Sequence, residues 1–412
     1  MMNTHLNIID PDVYVQGIPH ATFKRLRDED PVSWYPEEKG SGFWAVTRYA
    51  DLLEVSRQPK IFSSASGIRL EEMDAEELMA RQTMMELDPP EHTAQRRLVN
   101  PPFLPRSVAG YTEELRQLAR SVINDVRDQS EFDFVTAIAR VLPMRMLGKL
   151  LGVSDEDGRW LVAAGDALIG NSDPEFTDFP VDMVDTGDYR LLPFRSPVST
   201  RLFDYAGKER AARHQCPMDD LITRLTAPMK DGSVLSDLEF KNFFTLMVAA
   251  GNDTTRYTMA AGLEALIERP DLLAALQNNP AALDSAVEEI LRWGSVTMHF
   301  RRTATQDYRL NGTLIRKGDK VIIWYIAADY DERQFPDPLR FDIYRTPNDH
   351  VAFGLKNPHK CLGEHLARLE INLLFAELLP QIETIEINGE VERLRSNFIA
   401  GIKHLPVRVT WK

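Results

Sequence analysis

Cys361 is the residue of this sequence whose chemistry stands out most clearly. It follows Pro358-His359-Lys360 and precedes an apolar-striped stretch, Leu362 to Leu379, which predicts a helix that ends before Pro380. We expect the thiol to be held as a thiolate, because a helix start and the neighbouring Lys360 both favour the anion. A thiolate is a strongly donating ligand, suited to an iron centre that must cleave an O–O bond. Lone cysteines are more often inert core residues, so this interpretation depends on other motifs.

Three further motifs precede Cys361 in a fixed order. They are Ala250-Gly251-Asn252-Asp253-Thr254-Thr255, then Glu289-Ile290-Leu291-Arg292, then Phe335-Pro336-Asp337-Pro338-Leu339-Arg340-Phe341. Together with the cysteine motif they resemble the cytochrome P450 family of haem-thiolate monooxygenases, over about residues 88 to 404. The resemblance implies a mainly α-helical fold with a small β component, in which haem lies between a long central helix and the helix after the cysteine. We expect residues 1–412 to form a single domain of this kind.

The resemblance also implies an activity. Such an enzyme inserts one oxygen atom of O2 into a C–H bond of an apolar small molecule, such as a terpenoid, a steroid, a fatty compound or another hydrocarbon. The implied cofactor is haem b (iron protoporphyrin IX), with Cys361 as the metal ligand. No G-x-G-x-x-G fingerprint for a flavin or nicotinamide follows a predicted strand. We therefore expect electrons from NAD(P)H to arrive indirectly, through a ferredoxin and its reductase.

The first motif supplies the residues expected at the oxygen side of the haem. Ala250 and Gly251 are small and let the helix backbone approach a flat ring. A helix that carries Thr254 can widen locally, since a side-chain hydroxyl competes for backbone carbonyls. The resemblance implies that Asp253 relays protons from solvent and that Thr254 holds the reacting oxygen by a hydrogen bond. The alternative is an ordinary helix kink with a satisfied hydroxyl.

Charged residues of the other motifs are implied to hold the core and the haem carboxylates. The spacing of Glu289 and Arg292 recurs elsewhere on helices of this chain and is uninformative alone. By resemblance, Glu289, Arg292 and Arg340 form a buried structural network behind the cysteine segment. The residues implied to contact the two haem propionates are His92, Arg96, Arg302 and His359.

The cysteine segment departs from the family pattern. Phe353 and Gly363 are implied to contact the haem on either side of Cys361. Phe353 lies eight residues before the cysteine where seven is usual, and Asn357 stands where the family usually has glycine. Since Asn tolerates the left-handed conformation that Gly normally supplies, we expect a similar turn.

The predicted substrate pocket is apolar and has few polar anchors, which suits an unactivated hydrocarbon. It is lined by the loop from Gly67 to Leu87 and by the stretches 246–250, 295–300 and 398–402. Its candidate residues are Leu246, Met247, Val248, Val296, Met298, Phe300, Phe398 and Ile399. We read residues 64–87 as a mobile segment over the pocket and the Pro-rich residues 171–199 as an access lid.

Composition and charge narrow the class of protein. The net charge of −14, with both signs interspersed, argues against nucleic acid as a partner. Cys216 and Cys361 are the only cysteines, which excludes a disulfide framework and favours the cytoplasm. The first 14 residues have no apolar core, so we expect no membrane anchor, and we expect a monomer. Lys356, Lys360 and Arg97 form a predicted basic patch for an acidic ferredoxin.

The elements that must position these residues can be predicted in outline. Ser236 and Glu239 form a capping box, and the apolar pattern continues to Arg269 before Pro270, which predicts a helix ~50 Å long. Helices are also predicted over residues 91–103, 107–128, 131–151 and 280–293. Residues 297–328 read as strands, with Asn311-Gly312 as a hairpin turn.

Three alternatives stay open at this stage. One is a haem enzyme of the same fold that is driven by peroxide or isomerises its substrate, although Asp253-Thr254 is intact. Another is a non-haem metal-binding protein that uses His359, Cys361 and His365, for which a fourth ligand is not obvious. The last is a helical ligand-binding protein without a cofactor, which does not explain the ordered set of motifs.

Overall fold

Helices make up most of the regular secondary structure, and the predicted mainly α-helical fold with a small β component is confirmed. The computed structural model describes residues 6–37, 40–251, 253–355 and 357–412. The helices are α1 (Asp12–Val15), α2 (His20–Glu29), α3 (Tyr49–Ser56), α4 (Ala75–Arg81), α5 (Glu91–Val99), α6 (Pro105–Ala109), α7 (Thr112–Asn124), α8 (Val141–Leu151), α9 (Asp155–Ile169), α10 (Val198–Gln215), α11 (Leu221–Thr226), α12 (Asp237–Ala250), α13 (Asp253–Glu268), α14 (Pro270–Asn278), α15 (Leu283–Gly294), α16 (Tyr325–Ala328) and α17 (Glu364–Leu378). Among the described helices, none is long and apolar enough to cross a bilayer.

The strands form a small mixed sheet and three minor ones. They are β1 (Val32–Tyr35), β2 (Phe43–Val46), β3 (Phe62–Ser63), β4 (Glu131–Asp133), β5 (His299–Ala304), β6 (Tyr308–Leu310), β7 (Thr313–Ile315), β8 (Lys320–Trp324), β9 (Ile382–Ile387), β10 (Glu392–Arg393), β11 (Ile402–His404) and β12 (Pro406–Trp411). The main sheet has the order β1-β2-β8-β5-β3, with β2 and β8 parallel and the other pairs antiparallel. The predicted hairpin joins β6 to β7, and Asn311 and Gly312 both have positive φ, as its turn requires.

The predicted central helix corresponds to α12 and α13. Ser236 and Glu239 form the expected capping box at the start of α12, and Pro270 begins α14 just after α13. Gly251 follows α12 and donates its N–H to the Met247 carbonyl at 3.0 Å. Asn252, the next residue of the motif, lies outside the described residues. The two helices therefore supply the long crossing element on which the rest of the site depends.

The helices pack around this element. α12 lies against α9 and α10, while α13 packs on α15 and α17. Gly262 permits the close approach of α13 to α15, because a Cβ there would lie 2.7 Å from Ile290 Cγ2. This packing brings the Glu289 helix and the helix after Cys361 to the same side of the crossing element.

A charge network at the end of α15 differs in one member from the prediction. The Arg292 guanidinium donates to both Glu289 oxygens at 2.8 Å and to the Asp329 carbonyl at 2.8 Å, and both side chains are fully buried. The third member is Arg345, whose Nε lies 3.0 Å from Glu289 Oε2. The prediction that Arg340 joins the buried network is wrong, since its side chain is exposed. The segment before Arg345 folds around its guanidinium, which also donates to the carbonyls of Pro336, Asp337 and Arg340.

The predicted helical stretch over residues 131–151 is also only partly correct. Residues Glu131–Asp133 form β4, Val135–Ala139 form a π-helix, and only Val141–Leu151 are α-helical. β4 pairs with β12, and Phe134 donates its N–H to the Leu405 carbonyl at 2.9 Å. A partner some 270 residues away thus overrides the local helical pattern.

Candidate active site

A cavity of about 310 Å³ lies between the crossing helices and the segment that carries Cys361. Most of the residues predicted for the site line it. On the helix and sheet side they are Leu246, Met247, Ala250, Gly251, Thr254, Val296, Phe300, Phe398 and Ile399. On the cysteine side they are Arg96, Arg302, Phe353, His359, Cys361 and Gly363. Side chains from across the sequence thus converge on one space.

Two predicted pocket residues do not line this cavity. Val248 is buried in the core, where its Cγ1 lies 3.7 Å from the position of a Cβ on Gly165 of α9. Met298 is buried among the aromatic residues near the main sheet, with its N–H donated to the Phe398 carbonyl at 2.9 Å. Both predictions are wrong for the same reason, since neighbours of a lining residue point away from the cavity on a helix or strand.

The cysteine segment closes as a turn despite its extra residue. The Cys361 N–H donates to the Phe353 carbonyl at 2.8 Å. Gly354 has a φ of 72°, in the left-handed region that glycine tolerates. The Asn357 side-chain oxygen accepts the His359 N–H at 2.7 Å, and its carbonyl accepts the Lys360 N–H at 3.2 Å. Asn357 therefore stabilises the turn through its own side chain.

The electrostatics at Cys361 correct the expectation of a preformed thiolate. The sulfur faces the cavity but is otherwise enclosed by protein, and this burial raises the pKa of the Cys361 thiol. The Gly363 N–H, Arg96 and Arg368 oppose the rise in pKa, while Glu364 adds to it. Lys360 Nζ lies 2.5 Å from a Glu364 oxygen. This ion pair neutralises the positive charge of Lys360, which was expected to favour the thiolate. A metal cation bound to the sulfur would displace the proton outright.

Buried nitrogen donors lie on the cysteine side of the cavity, either in its wall or, for His92, directly behind it against His359. The His92 and His359 rings lie 4.2 Å apart, and none of their four nitrogens has a hydrogen-bond partner among the described residues. Burial lowers the pKa of His92 to about 4 and that of His359 to about 2. Arg302 donates only to the Arg301 carbonyl in the described part of the chain, and Arg96 borders the same space.

This donor set fits the haem that the family resemblance implies. Buried polar groups in native proteins nearly always have partners, so orphaned donors point to acceptors that a ligand brings. Two propionates would supply such acceptors, and charge-assisted hydrogen bonds to Arg96 and Arg302 would offset the cost of burying them. The cavity lies between Cys361 on one side and the small residues Ala250 and Gly251 on the other, which is the arrangement expected around a flat ring.

Thr254 faces the cavity and carries the predicted hydroxyl. Its Oγ1 lies 3.4 Å from the Ala250 carbonyl oxygen, which is a long contact for a hydrogen bond. The Thr258 hydroxyl in turn donates to the Thr254 carbonyl at 2.8 Å. Side-chain hydroxyls thus compete for the backbone carbonyls of this stretch, as the sequence analysis expected.

Asp253 does not line the cavity. Its side chain is fully buried, and Oδ1 lies 3.1 Å from Arg256 Nη2. Arg256 also donates to Asp166 Oδ1 at 2.7 Å and to the Tyr257 hydroxyl at 2.7 Å. Neither Arg256 nor Asp166 was predicted as a site residue, because only the folded chain brings α9 against α13. This ion-pair group holds the Asp253 carboxylate behind the cavity wall.

The pocket is more polar than predicted at its outer end. Arg69 and Arg81 line the cavity together with Glu71 and Glu86, all from the loop that was predicted to cover it. The loop from Gly67 to Leu87 was predicted to line the pocket, but its arginines were not among the predicted pocket residues. Two guanidinium groups at an apolar cavity are unusual and require partners.

Ion pairs join this loop to the predicted access lid. Arg190 pairs with Asp74 at 3.2 Å and also with Glu76. Arg195 lies 2.8 Å from Glu77. Between α9 and α10 the described chain has only turns and short 3-10 segments, as the prolines predicted. The two segments therefore contact each other through charged side chains, while other residues of both, such as Arg81 and Phe194, line the cavity.

The non-haem alternative finds no support in the described part of the chain. The group there with spacing suited to a metal ion is Glu175, Glu392 and His404. It does not include Cys361 or His365. Lys403 Nζ lies 2.6 Å from Glu175, so a protein cation already occupies this acidic group.

At the predicted basic patch, Arg97 is exposed and Lys360 is paired, while Lys356 lies outside the described residues.

Comparisons with known proteins agree with this site. A sequence model of the family described as Cytochrome P450 matches residues 15–403. The chain is 34% identical to the steroid C26-monooxygenase of Mycobacterium tuberculosis, over 97% of this chain and 92% of that protein. It is 35% identical to the linalool 8-monooxygenase of Pseudomonas putida, over 97% of each. The fold is similar to a Mycobacterium marinum cytochrome P450 solved with pseudoionone, at a TM-score of 0.89, 35% identity and 98% coverage of both chains.

Proposed function

The chain belongs to the cytochrome P450 family, and we propose that it is a haem-thiolate monooxygenase that hydroxylates an apolar small molecule. The observation that carries this proposal is the convergence on one cavity of Cys361, the orphaned donors around Arg302 and His359, and the hydroxyl of Thr254. In the overall reaction, C–H becomes C–OH. The second atom of O2 leaves as water, with two protons and two electrons taken up.

The cysteine side of the cavity would hold the cofactor. Cys361 Sγ would bind the iron, and Arg96, Arg302, His92 and His359 would bind or orient the propionates. When bound, the haem supplies the reductive activation of O2 and the oxidant for the C–H bond. The Gly363 N–H next to the sulfur would hydrogen-bond the thiolate and so moderate its donation of electrons.

Two residues of the crossing helix would deliver protons and hydrogen-bond the reacting oxygen. The Thr254 hydroxyl, loosely held by the Ala250 carbonyl, is free to turn and hydrogen-bond an oxygen atom in the cavity. Asp253 would deliver protons from behind the wall, and it must first loosen its ion pair with Arg256 to do so. The apolar side chains of Leu246, Met247 and Val296 exclude water and orient the substrate.

The named relatives support the substrate class. The proteins called steroid C26-monooxygenase and linalool 8-monooxygenase are named for apolar molecules, and this cavity has largely apolar walls. We propose a substrate of the same general kind, a terpenoid, a steroid or a fatty compound.

We further propose that NAD(P)H supplies the electrons through a ferredoxin that docks on the Cys361 side, near the exposed Arg97. The protein would act in the cytoplasm, where its two free cysteines stay reduced. It would act as a monomeric single domain over residues 1–412.

The carbon monoxide complex of the reduced protein tests the central assignment. We expect the purified protein to show the red-shifted Soret band of a haem thiolate, and Cys361→Ser to lose it. Cys216→Ser is the matched control, since it removes the other cysteine at an exposed position and leaves the band intact. Retention of the band in Cys361→Ser would show that another residue binds the iron. Turnover with peroxide alone, and none with a ferredoxin system, would favour the peroxide-driven alternative.

A further inference from the structure

Arg81 is a buried cation whose donors are unused. Only 6% of its surface is exposed, and it lines the cavity. None of Nε, Nη1 and Nη2 makes a hydrogen bond to a described residue. Its nearest carboxylate is that of Glu71, at 3.3 Å from Nη2, which satisfies the charge but not the donors. A guanidinium in this condition has several N–H groups available for an acceptor from outside the protein.

Arg69 adds a second cation to the same end of the cavity. Its guanidinium carbon lies 4.2 Å from the centre of the Phe194 ring and 5.6 Å from that of Phe398. Both rings line the cavity, so the charge rests against its apolar wall. Within the described chain Arg69 makes no ion pair within 4 Å and no hydrogen bond, although its charge helps to lower the pKa of Glu71.

The nearby carboxylates do not neutralise all of the positive charge of Arg69 and Arg81. Glu71 is shared, because it lies 3.3 Å from Arg81 and 3.9 Å from Arg195. Glu77 takes the closer contact with Arg195, at 2.8 Å. Glu86 also lines the cavity, but its Oε2 accepts the N–H and the hydroxyl of Thr83 at 2.9 and 2.7 Å, and burial raises its pKa.

The position of these arginines fixes the shape of the molecule they would bind. Asn242 Nδ2 donates to the carbonyls of Ala80 and Gln82, at 2.9 and 3.2 Å, which places the Arg81 segment beside the middle of α12. Ala250, next to the reaction centre, lies eight residues further along the helix, or about 12 Å at the usual rise. A molecule that reaches both places must be elongated.

We propose that the substrate is an elongated apolar carboxylic acid, whose carboxylate is bound by Arg81 and Arg69 while a carbon near its other end lies beside Thr254. A carboxylate offers two parallel acceptors that match the fork of a guanidinium, so it satisfies donors that a hydroxyl or ketone could satisfy only in part. This inference rests on the proposed monooxygenase function and narrows its substrate class. The reaction remains the hydroxylation balanced above, with O2 as the oxidant.

Myristic acid and its methyl ester are suitable probes, because they share a chain and differ only in the charged end. Each is titrated into the haem-loaded enzyme and followed by the spin-state change of the Soret band and by calorimetry. We expect the acid to bind at least tenfold more tightly than the ester. Arg81→Gln should weaken acid binding about 10- to 100-fold and leave ester binding nearly unchanged, in line with the loss of charge-assisted hydrogen bonds. Arg69→Gln should act in the same direction, and it serves if Arg81→Gln does not fold.

The double variant Glu71→Gln/Arg81→Gln distinguishes two roles of Arg81, direct binding of the carboxylate and neutralisation of Glu71. If Arg81 binds the acid itself, the double variant stays as weak as Arg81→Gln. Recovery of acid binding would show that Arg81 acts only by neutralising Glu71, and would overturn the inference. Equal affinity of the wild-type enzyme for acid and ester, binding of neither, or equal losses for both in Arg81→Gln would overturn it too. These outcomes leave the proposed function standing if the thiolate Soret band is present, whereas its absence refutes that function instead.

Discussion

The network around Glu289 makes a sharp prediction, since the loss of Arg345 should destabilise the protein strongly and the loss of the nearby Arg340 hardly at all. Arg345 is 7% exposed, pairs with Glu289 at 3.0 Å and donates to the backbone carbonyls of Pro336 and Arg340 at 2.8 and 2.9 Å. Arg345→Ala would leave the fully buried Glu289 carboxylate with Arg292 as its one remaining cation in the described structure. Breaking a buried ion pair costs about 3–5 kcal/mol. We expect about 3 kcal/mol, because Arg292 stays and water can reach the freed carbonyls.

Arg340→Ala is the matched control. It removes an arginine from the same segment, but one with an exposed side chain, so its effect should stay within about 0.5 kcal/mol. Urea denaturation followed by far-UV circular dichroism gives the free energy of unfolding of each variant. The Soret band gives the fraction that retains haem. A cost for Arg340→Ala that equals or exceeds that of Arg345→Ala would refute the assignment of the network. An Arg345→Ala variant as stable as the wild type would refute the magnitude.

Three further predictions concern the cavity. Thr254→Ala should uncouple NAD(P)H oxidation from product and divert electrons to hydrogen peroxide; an unchanged ratio of product to NAD(P)H would contradict its role. Asp253→Asn should slow turnover at least tenfold, since a positioned proton donor contributes roughly 10²–10⁴-fold, and an unaltered rate would count against proton delivery. Burial raises the pKa of Glu370 from 4.5 to about 8, so the folded state keeps a proton that the unfolded chain loses, and stability falls as the pH rises through this window. Glu370→Gln should therefore raise the melting temperature at about pH 8 but not below about pH 4.5, and a shift of equal size at both would exclude this titration as the cause.

Features set by short stretches of chain could be predicted from the sequence. The capping box of Ser236 and Glu239 and the Asn311-Gly312 turn depend on residues within a few positions of one another, and both occur as expected. The family resemblance located Cys361 at the cavity in the same way, since the motif around it is contiguous.

Features set by distant pairing could not be predicted. The Phe335 segment suggested Arg340, yet the chain path lets Arg345 reach Glu289 instead. The burial that raises the pKa of Cys361 comes from the whole enclosure around the sulfur, which distant parts of the chain build. Whether a helix residue such as Val248 faces a cavity or a neighbouring helix depends on packing that no local pattern specifies.

The ion pairs of Arg190 with Asp74 and Glu76 have a consequence for kinetics. They are solvent-exposed, so each contributes little, about 0.2–1 kcal/mol, and salt screens them. A molecule that passes between the two segments must part these side chains, whereas one already inside does not touch them. Added salt should therefore speed both association and dissociation of a neutral compound by similar factors and leave its equilibrium constant nearly unchanged. The rates at which a neutral compound enters and leaves the cavity would therefore depend on ionic strength, although its affinity would not.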